Sequence, residues 1–246
     1  MTSQSHFYET SLYPLQDGVL KAISQNDTDF FLTGGTALSR AYFNHRYSDD
    51  LDFFVNNSNN FNEQLDSILD ILKREKYNWD LNTFLRSDNY CRLFIYKEED
   101  IKLKLDFVND TVPHYGDIIS TNLFYRTDSI KNILSNKLSA IYRYEVKDIV
   151  DIREIALNKS VNWVHAIEEA RTKEASIDLP IIAEIILGTP RDKFDSIAWV
   201  NKPEWKVFNN ELKQIVSEML TGNNLQMDIS TKRVSNSSNK GHSHNR

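Results

Sequence analysis

Apolar positions along the chain change period several times, and each change marks an element. Leu12, Leu15, Val19, Leu20 and Ile23 recur at helical spacing, and Phe30-Phe31-Leu32-Thr33 then reads as a short buried strand ending on two glycines. Residues 36–43 read as the helix those glycines open. Alternation returns in Asp50-Leu51-Asp52-Phe53-Phe54-Val55, where the pleat sends both aspartates to one face and Leu51 and Phe53 to the other. An amphipathic helix follows, with Phe61, Leu65, Ile68, Leu69 and Leu72 on its apolar side. Three strand-like runs, 77–84, 90–97 and 101–108, predict an antiparallel meander that completes a mixed sheet. From Ser129 onward the period is helical, over 130–145, 147–157, 162–174, 178–187 and 203–220. The shift near 124–128 predicts an α/β (α+β) domain over 1–126 and a helical domain over 127–221. The Asn-, Ser- and Lys-rich stretch 222–246 lacks the apolar residues a core needs and is expected to be disordered.

The alternating aspartates carry the chemistry. Asp50 and Asp52 stand at i and i+2 on one face of a strand, where two anions repel unless a cation lies between them. Lys102-Leu103-Lys104-Leu105-Asp106-Phe107-Val108 is a second alternating run, able to lie beside the first and add a third carboxylate. Three such groups suit a pair of Mg²⁺ ions about 3.5–4 Å apart, the arrangement that stabilises both the attacking and the leaving oxygen in nucleotidyl transfer. Asp50 and Asp52 would bridge the ions, and Asp106 would complete the site that activates the incoming hydroxyl. Gly34 and Gly35 allow backbone to approach the triphosphate of an NTP, whose phosphates would meet free N–H groups at the start of the next helix. Taken singly, the aspartates also read as a solvated acidic loop and the glycines as an ordinary turn.

In order and spacing, the set Gly34-Gly35, Asp50/Asp52 and Asp106 resembles the DNA polymerase beta-like nucleotidyltransferase superfamily. Gly34-Gly35-Thr36-Ala37-Leu38 followed by Arg46-Tyr47-Ser48-Asp49-Asp50-Leu51-Asp52-Phe53 is similar to the AbiEii/AbiGii toxin family within it. The likeness continues into Lys137-Leu138-Ser139-Ala140-Ile141-Tyr142-Arg143 and Lys147-Asp148-Ile149-Val150-Asp151, so it spans roughly 30–157. Many members have Gly-Ser where this chain has Gly34-Gly35, so a phosphate-binding hydroxyl there would have to come from Thr36. The resemblance implies a nucleotidyltransferase-fold mixed sheet closed by a helical domain, two Mg²⁺ ions, and an NTP as substrate. It also implies a toxin role in toxin–antitoxin or abortive-infection phage defence, with a cognate antitoxin and an acceptor at the tRNA 3′ end or on a protein. The alternatives are a small-molecule nucleotidyltransferase of the antibiotic-modifying type and a catalytically silent module that binds nucleotide or a partner. The complete acid set argues against the silent module.

Lys137 falls in the middle of the apolar stripe Ile130, Ile133, Leu134 and Ile141, where an ammonium must snorkel out or find an anion. The resemblance sends it to the triphosphate; the competing reading pairs it with a core carboxylate such as Asp148. Asp148, placed against packed surface, is by the same resemblance a candidate base or orienting residue, or else the partner of Lys137 or Arg143. Arg143 points away from the stripe, so only the resemblance brings it to the nucleotide, and a surface arginine is the alternative. Arg46 and Ser48 either touch phosphates or shape the loop into the strand.

Composition fits this reading. Formal net charge is −6, with 35 acidic against 29 basic residues, which argues against coating nucleic acid by bulk charge. Cys91 is the single cysteine, so an internal disulfide is excluded and a reducing, cytoplasmic setting is expected. Neither an export signal nor an 18-residue apolar run occurs, so no membrane association is expected.

Overall fold

Two alternating strands form the middle of the sheet in a computed structural model that describes residues 3–97 and 101–222. β2 (Asp50–Asn56) runs parallel to β6 (Leu103–Asp110), and β1 (Phe31–Thr33) pairs antiparallel with the outer side of β2. β5 (Tyr90–Tyr96) lies antiparallel to β6 and carries two short strands, β3 (Asn78–Trp79) and β4 (Leu85–Arg86). The order is β1-β2-β6-β5-β3, so the expected mixed sheet is present. The antiparallel meander is present as β3-β5-β6, and β6 completes the mixed sheet by taking β2 as its parallel neighbour. The expected strand over 77–84 is broken, however: the Asp80 carboxylate accepts the Asn82 N–H at 2.8 Å, and this local turn leaves Leu81 77% exposed.

Leu51, Phe53 and Val55 of β2 and Leu103, Leu105 and Phe107 of β6 are all buried on one face, where Phe53 and Phe107 stack at 5.2 Å. Burying each such side chain contributes about 1.5–3 kcal/mol. A one-residue slip would carry Asp50 and Asp52 into that core, so apolar burial sets the register of the acidic face.

The N-terminal helix begins before Leu12, as α1 (Ser3–Phe7), a wide turn Tyr8–Leu12 and α2 (Tyr13–Ile23). Similarly, α3 (Gly34–Thr36) starts two residues earlier than expected and continues as a wide-turn segment, Ala37–Phe43, ended by Asn44 at φ 50°. α4 (Phe61–Arg74) covers the apolar face of the sheet as the periodicity predicts.

In the second half, the expected helix 130–145 stops as α5 (Ile130–Ser139), because one tight turn, Ile141–Arg143, leads to Tyr144 in the left-handed region at φ 57°. There follow α6 (Val146–Asn158), α7 (Trp163–Lys173), α8 (Leu179–Leu187), the unexpected short α9 (Arg191–Asp195) and α10 (Trp205–Thr221). α5 packs against both α6 and α7. One apolar cluster joins sheet residues such as Leu32 and Leu51 to helical residues such as Leu138, Ile149 and Phe208. The expected disorder beyond Gly222 lies outside the described residues.

Candidate active site

Thr33, Asp52, Asp106 and Arg92 are successive register partners across β1, β2, β6 and β5, on the face opposite the Phe53/Phe107 core. Asp50 stands across from Lys104 one step along the same face. Pairing therefore brings all three predicted carboxylates to adjacent positions, together with cations that alternation alone did not single out. Asp106 accepts from Arg92 Nε at 2.7 Å and Nη2 at 2.9 Å and from the Tyr90 hydroxyl at 3.0 Å. Lys104 Nζ lies 2.7 Å from Asp50 and 3.3 Å from Asp106. Burial tends to raise the Asp106 carboxyl, but the Arg92 and Tyr90 hydrogen bonds and the Lys104 charge hold it below the ordinary carboxylate value. Asp52 has no such covering. Burial, then the charges of Asp50 and Asp106, push its carboxyl up to about 7 against the pull of Lys104 and Lys137.

The glycine turn sits on this carboxylate. Gly34 has φ +70°, and a methyl group there would overlap Asp52 Oδ2. A methyl at Gly35 would overlap the Arg46 guanidinium and stand 3.3 Å from Ser48 Oγ. Gly34→Ala is therefore expected to cost about 1–2 kcal/mol from the left-handed backbone alone, lowering the thermal midpoint by about 2–8 °C, and to lose transfer activity because the Asp52 carboxylate must move. Thermal melts and a transfer assay check it; wild-type values in both would refute the close packing. Thr36 is fully buried and its hydroxyl donates to the Asp50 carbonyl at 2.5 Å, so in this structure it ties the turn to β2.

Across the cleft, α5 and α6 bring the remaining predicted residues into one ion-pair network. Asp151, fully buried, accepts Arg46 Nε and Nη2, both at 2.8 Å, and lies 2.8 Å from His45 Nε2 and 2.9 Å from Lys137 Nζ. Burial opposes its ionisation, but Arg46 and Lys137 hold it well below the ordinary carboxylate range. Lys137 Nζ also contacts Asp148 Oδ1 at 2.6 Å, whose other oxygen accepts from Arg143 at 2.9 Å. Of the two readings of Lys137, this geometry has the ion pair, although the lysine is near enough to lower the Asp52 carboxyl. Arg143 reaches Asp148 from an exposed position. The Arg46 guanidinium is engaged with Asp151 and the Tyr47 carbonyl, and Ser48 is buried against Gly35, so both shape the loop into β2.

Several residues at the site escaped the sequence reading. Arg92, Tyr90 and Lys104 have the right strand parity, but only register puts them beside Asp106. Asp128, fully buried, accepts the Thr33 hydroxyl at 2.5 Å and Asn132 Nδ2 at 2.9 Å, and lies 2.9 Å from His114 Nε2. It ties the end of β1 to α5 and so sets the distance between the glycine turn and Lys137. Its only sequence signal is its place just ahead of Ser129, which caps α5 by accepting the Asn132 N–H at 3.0 Å.

Asp50 and Asp52 offer hard oxygen donors, and the Asp52 carboxyl, raised first by burial and then by the Asp50 charge, is one that a divalent cation would return to its ionised form. These two fit such an ion. Among the described residues no three carboxylate, histidine or cysteine side chains are gathered closely enough to share one. Asp106 joins them only by exchanging Arg92 and Lys104.

A family model described as "Nucleotidyl transferase AbiEii toxin, Type IV TA system" matches residues 19–218. A comparison with curated proteins gives no match. Among solved structures, JHP933 from Helicobacter pylori is 20% identical with a TM-score of 0.61, covering 86% of this chain and 91% of its own. A putative nucleotidyltransferase from H. pylori is 21% identical with a TM-score of 0.56, over 85% of this chain and 96% of its own. MenT4, a nucleotidyltransferase toxin from Mycobacterium tuberculosis, is 12% identical with a TM-score of 0.56, over 89% and 84%. These structures share the fold. No helix among the described residues is long and apolar enough to cross a membrane. With the family match covering most of the chain and the glycine turn and strand carboxylates in place, the chain belongs to the AbiEii family of type IV toxin–antitoxin nucleotidyltransferase toxins.

Proposed function

We propose that the protein transfers a nucleotide from an NTP to a macromolecular acceptor in a Mg²⁺-dependent reaction, with the tRNA 3′ end as acceptor and a protein hydroxyl as the competing one. The toxic outcome would be growth arrest in the cytoplasm, relieved by a cognate antitoxin and used in phage defence. The observation that carries this reading is the Asp52 carboxylate packed beneath a glycine turn that leaves no room for a side chain, its carboxyl raised by burial and by the Asp50 charge.

In the reaction an acceptor oxygen bonds to the α-phosphorus, the bond to the bridging oxygen breaks, pyrophosphate leaves, and the hydroxyl's proton passes to water. Asp50 and Asp52, with Asp106, would hold Mg²⁺, which would supply charge stabilisation of the attacking and leaving oxygens. Gly34 and Gly35 let the backbone come close to the phosphates. Lys137 and Arg143 stand on the helical side, tied to Asp148, and Lys137 is near enough to the carboxylate row to lower the Asp52 carboxyl. Asp148 holds both cations in place, an orienting role that its two ion pairs support.

The test is incubation of the purified protein and its Asp52→Ala variant with each labelled NTP and total RNA or lysate, alongside growth curves on induction. Label on RNA and arrest by the wild type alone are expected. Unaffected growth with a gain of antibiotic resistance would replace this reading with small-molecule transfer, and absence of any transfer would leave a binding module.

A further inference from the structure

Lys104 bridges two of the three strand carboxylates. Its Nζ lies 2.7 Å from Asp50 Oδ2 and 3.3 Å from Asp106 Oδ2. Register makes the bridge: Lys104 pairs with Asp50 across β2 and β6, and Asp106 follows two residues later on the same face of β6. Arg92 is placed differently, because its fork grips Asp106 alone, Nε on Oδ1 and Nη2 on Oδ2. A single nitrogen held between oxygens of two side chains takes the same anionic donors that a divalent ion shared by Asp50 and Asp106 would take.

The bridge is also free to open. Lys104 is partly exposed, and the residues that anchor this stretch of β6, Leu103 and Leu105, are fully buried on the other face. Its flexible stem can therefore turn without unpacking the strand. Turned toward water alone, the ammonium would lose two ion contacts and gain none. The phosphates of an NTP change that balance. Their expected seat is the Gly34-Gly35 turn, Gly34 lies directly on Asp52, and Lys104 is the diagonal neighbour of Asp52 across the β2/β6 pairing.

We propose that the Lys104 ammonium and a divalent ion compete for Asp50 and Asp106, and that an NTP decides the competition by drawing the ammonium onto its phosphates. Lys104 is then a nucleotide-positioning residue, and ion and nucleotide bind as a coupled pair, each strengthening the other by the same factor. The proposal rests on the transfer reading only in taking the three aspartates as the ligands of the ion.

The test measures Mn²⁺ binding to the full chain by electron paramagnetic resonance without nucleotide. Lys104→Met keeps the stem and removes the charge; it is expected to bind Mn²⁺ about tenfold more tightly than wild type, within the usual range of coupling between sites. Lys102→Met removes an equal charge from the exposed position just before β6 and should bind as wild type does. In thermal melts, wild type should gain much from Mn²⁺ together with an α,β-methylene NTP, each of the four tried in turn, and little from Mn²⁺ alone. Lys104→Met should gain from Mn²⁺ alone. Midpoints without ligand report the fold, and Lys104→Gln replaces a methionine variant that melts early. Equal Mn²⁺ affinity in wild type and Lys104→Met, or an equal gain from Lys102→Met, overturns the competition while metal-dependent transfer stands. A wild type that transfers nucleotide yet binds Mn²⁺ neither alone nor with any analogue overturns the metal reading as well, with transfer itself standing.

Discussion

Asp52→Ala is expected to reduce nucleotidyl transfer by at least about a thousandfold, the equivalent of several kcal/mol of lost transition-state stabilisation, while leaving the fold intact. Asp52 stands on the polar face of β2, away from the Phe53/Phe107 core, so its loss opens no cavity. Stability should even improve at neutral pH. A carboxyl whose folded value is raised to about 7 keeps its proton longer in the folded state than in the unfolded chain, so folding loses stability as pH rises from about 4 to 7 and nothing further above that. The gap in thermal midpoint between Asp52→Asn and wild type should therefore widen through that window and then level off, and Mg²⁺ should narrow it. Asp106→Ala should also lose transfer, but it releases Arg92 and Lys104 from their shared anion. Melting curves across pH with a transfer assay decide the matter. Full activity in Asp52→Ala would sink the metal reading, and a gap independent of pH would sink the electrostatic one.

The second large effect is on stability. Asp151→Ala removes the carboxylate that pairs Arg46, Lys137 and His45 inside the protein; Lys137 keeps Asp148, but the buried Arg46 guanidinium is left without a carboxylate. Breaking a buried pair in this way costs about 3–5 kcal/mol, so the midpoint should fall by about 6–20 °C in a chain of this size. Asp148→Ala should cost less, because Lys137 keeps Asp151 and Arg143 can turn to solvent. Since the Asp151 carboxyl is held well below its ordinary value, its contribution is present above about pH 4 and is lost as acidification approaches the lower folded value. The wild type and Asp151→Asn should accordingly converge in acid. Equal melting of wild type and Asp151→Ala at pH 7 would mean that Arg46 finds another anion.

The family, the mixed sheet and the shared face of Asp50 and Asp52 were legible because they follow from local pattern: a period of two, a glycine pair, and a fixed distance between them. The meander over 77–108 was legible too, since β3, β5 and β6 pair antiparallel in chain order. The alternation of β6 does not say that it runs parallel to β2, and its inward Leu103, Leu105 and Phe107 suit a place between β2 and β5. The break at Asp80 is a side-chain hydrogen bond that outcompetes a strand ladder, and the end of α5 before Tyr144 reflects backbone geometry that the apolar period does not encode.

At the candidate site the division is similar. Residue types and spacing alone determined the carboxylates, the glycines that must lie close to them, and the lysine misplaced in an apolar stripe, since each is a local conflict between chemistry and pattern. Tertiary structure decided what those groups touch. Register across three strands put Arg92 on Asp106 and Lys104 between Asp106 and Asp50. The packing of α6 against the loop after α3 gave Arg46 and Lys137 a common anion in Asp151, and the approach of α5 to β1 made Asp128 the tie between the two halves. These contacts join residues up to 106 positions apart, and electrostatic pairing at a few ångströms depends on where the chain returns, which the order of residues along one element does not contain.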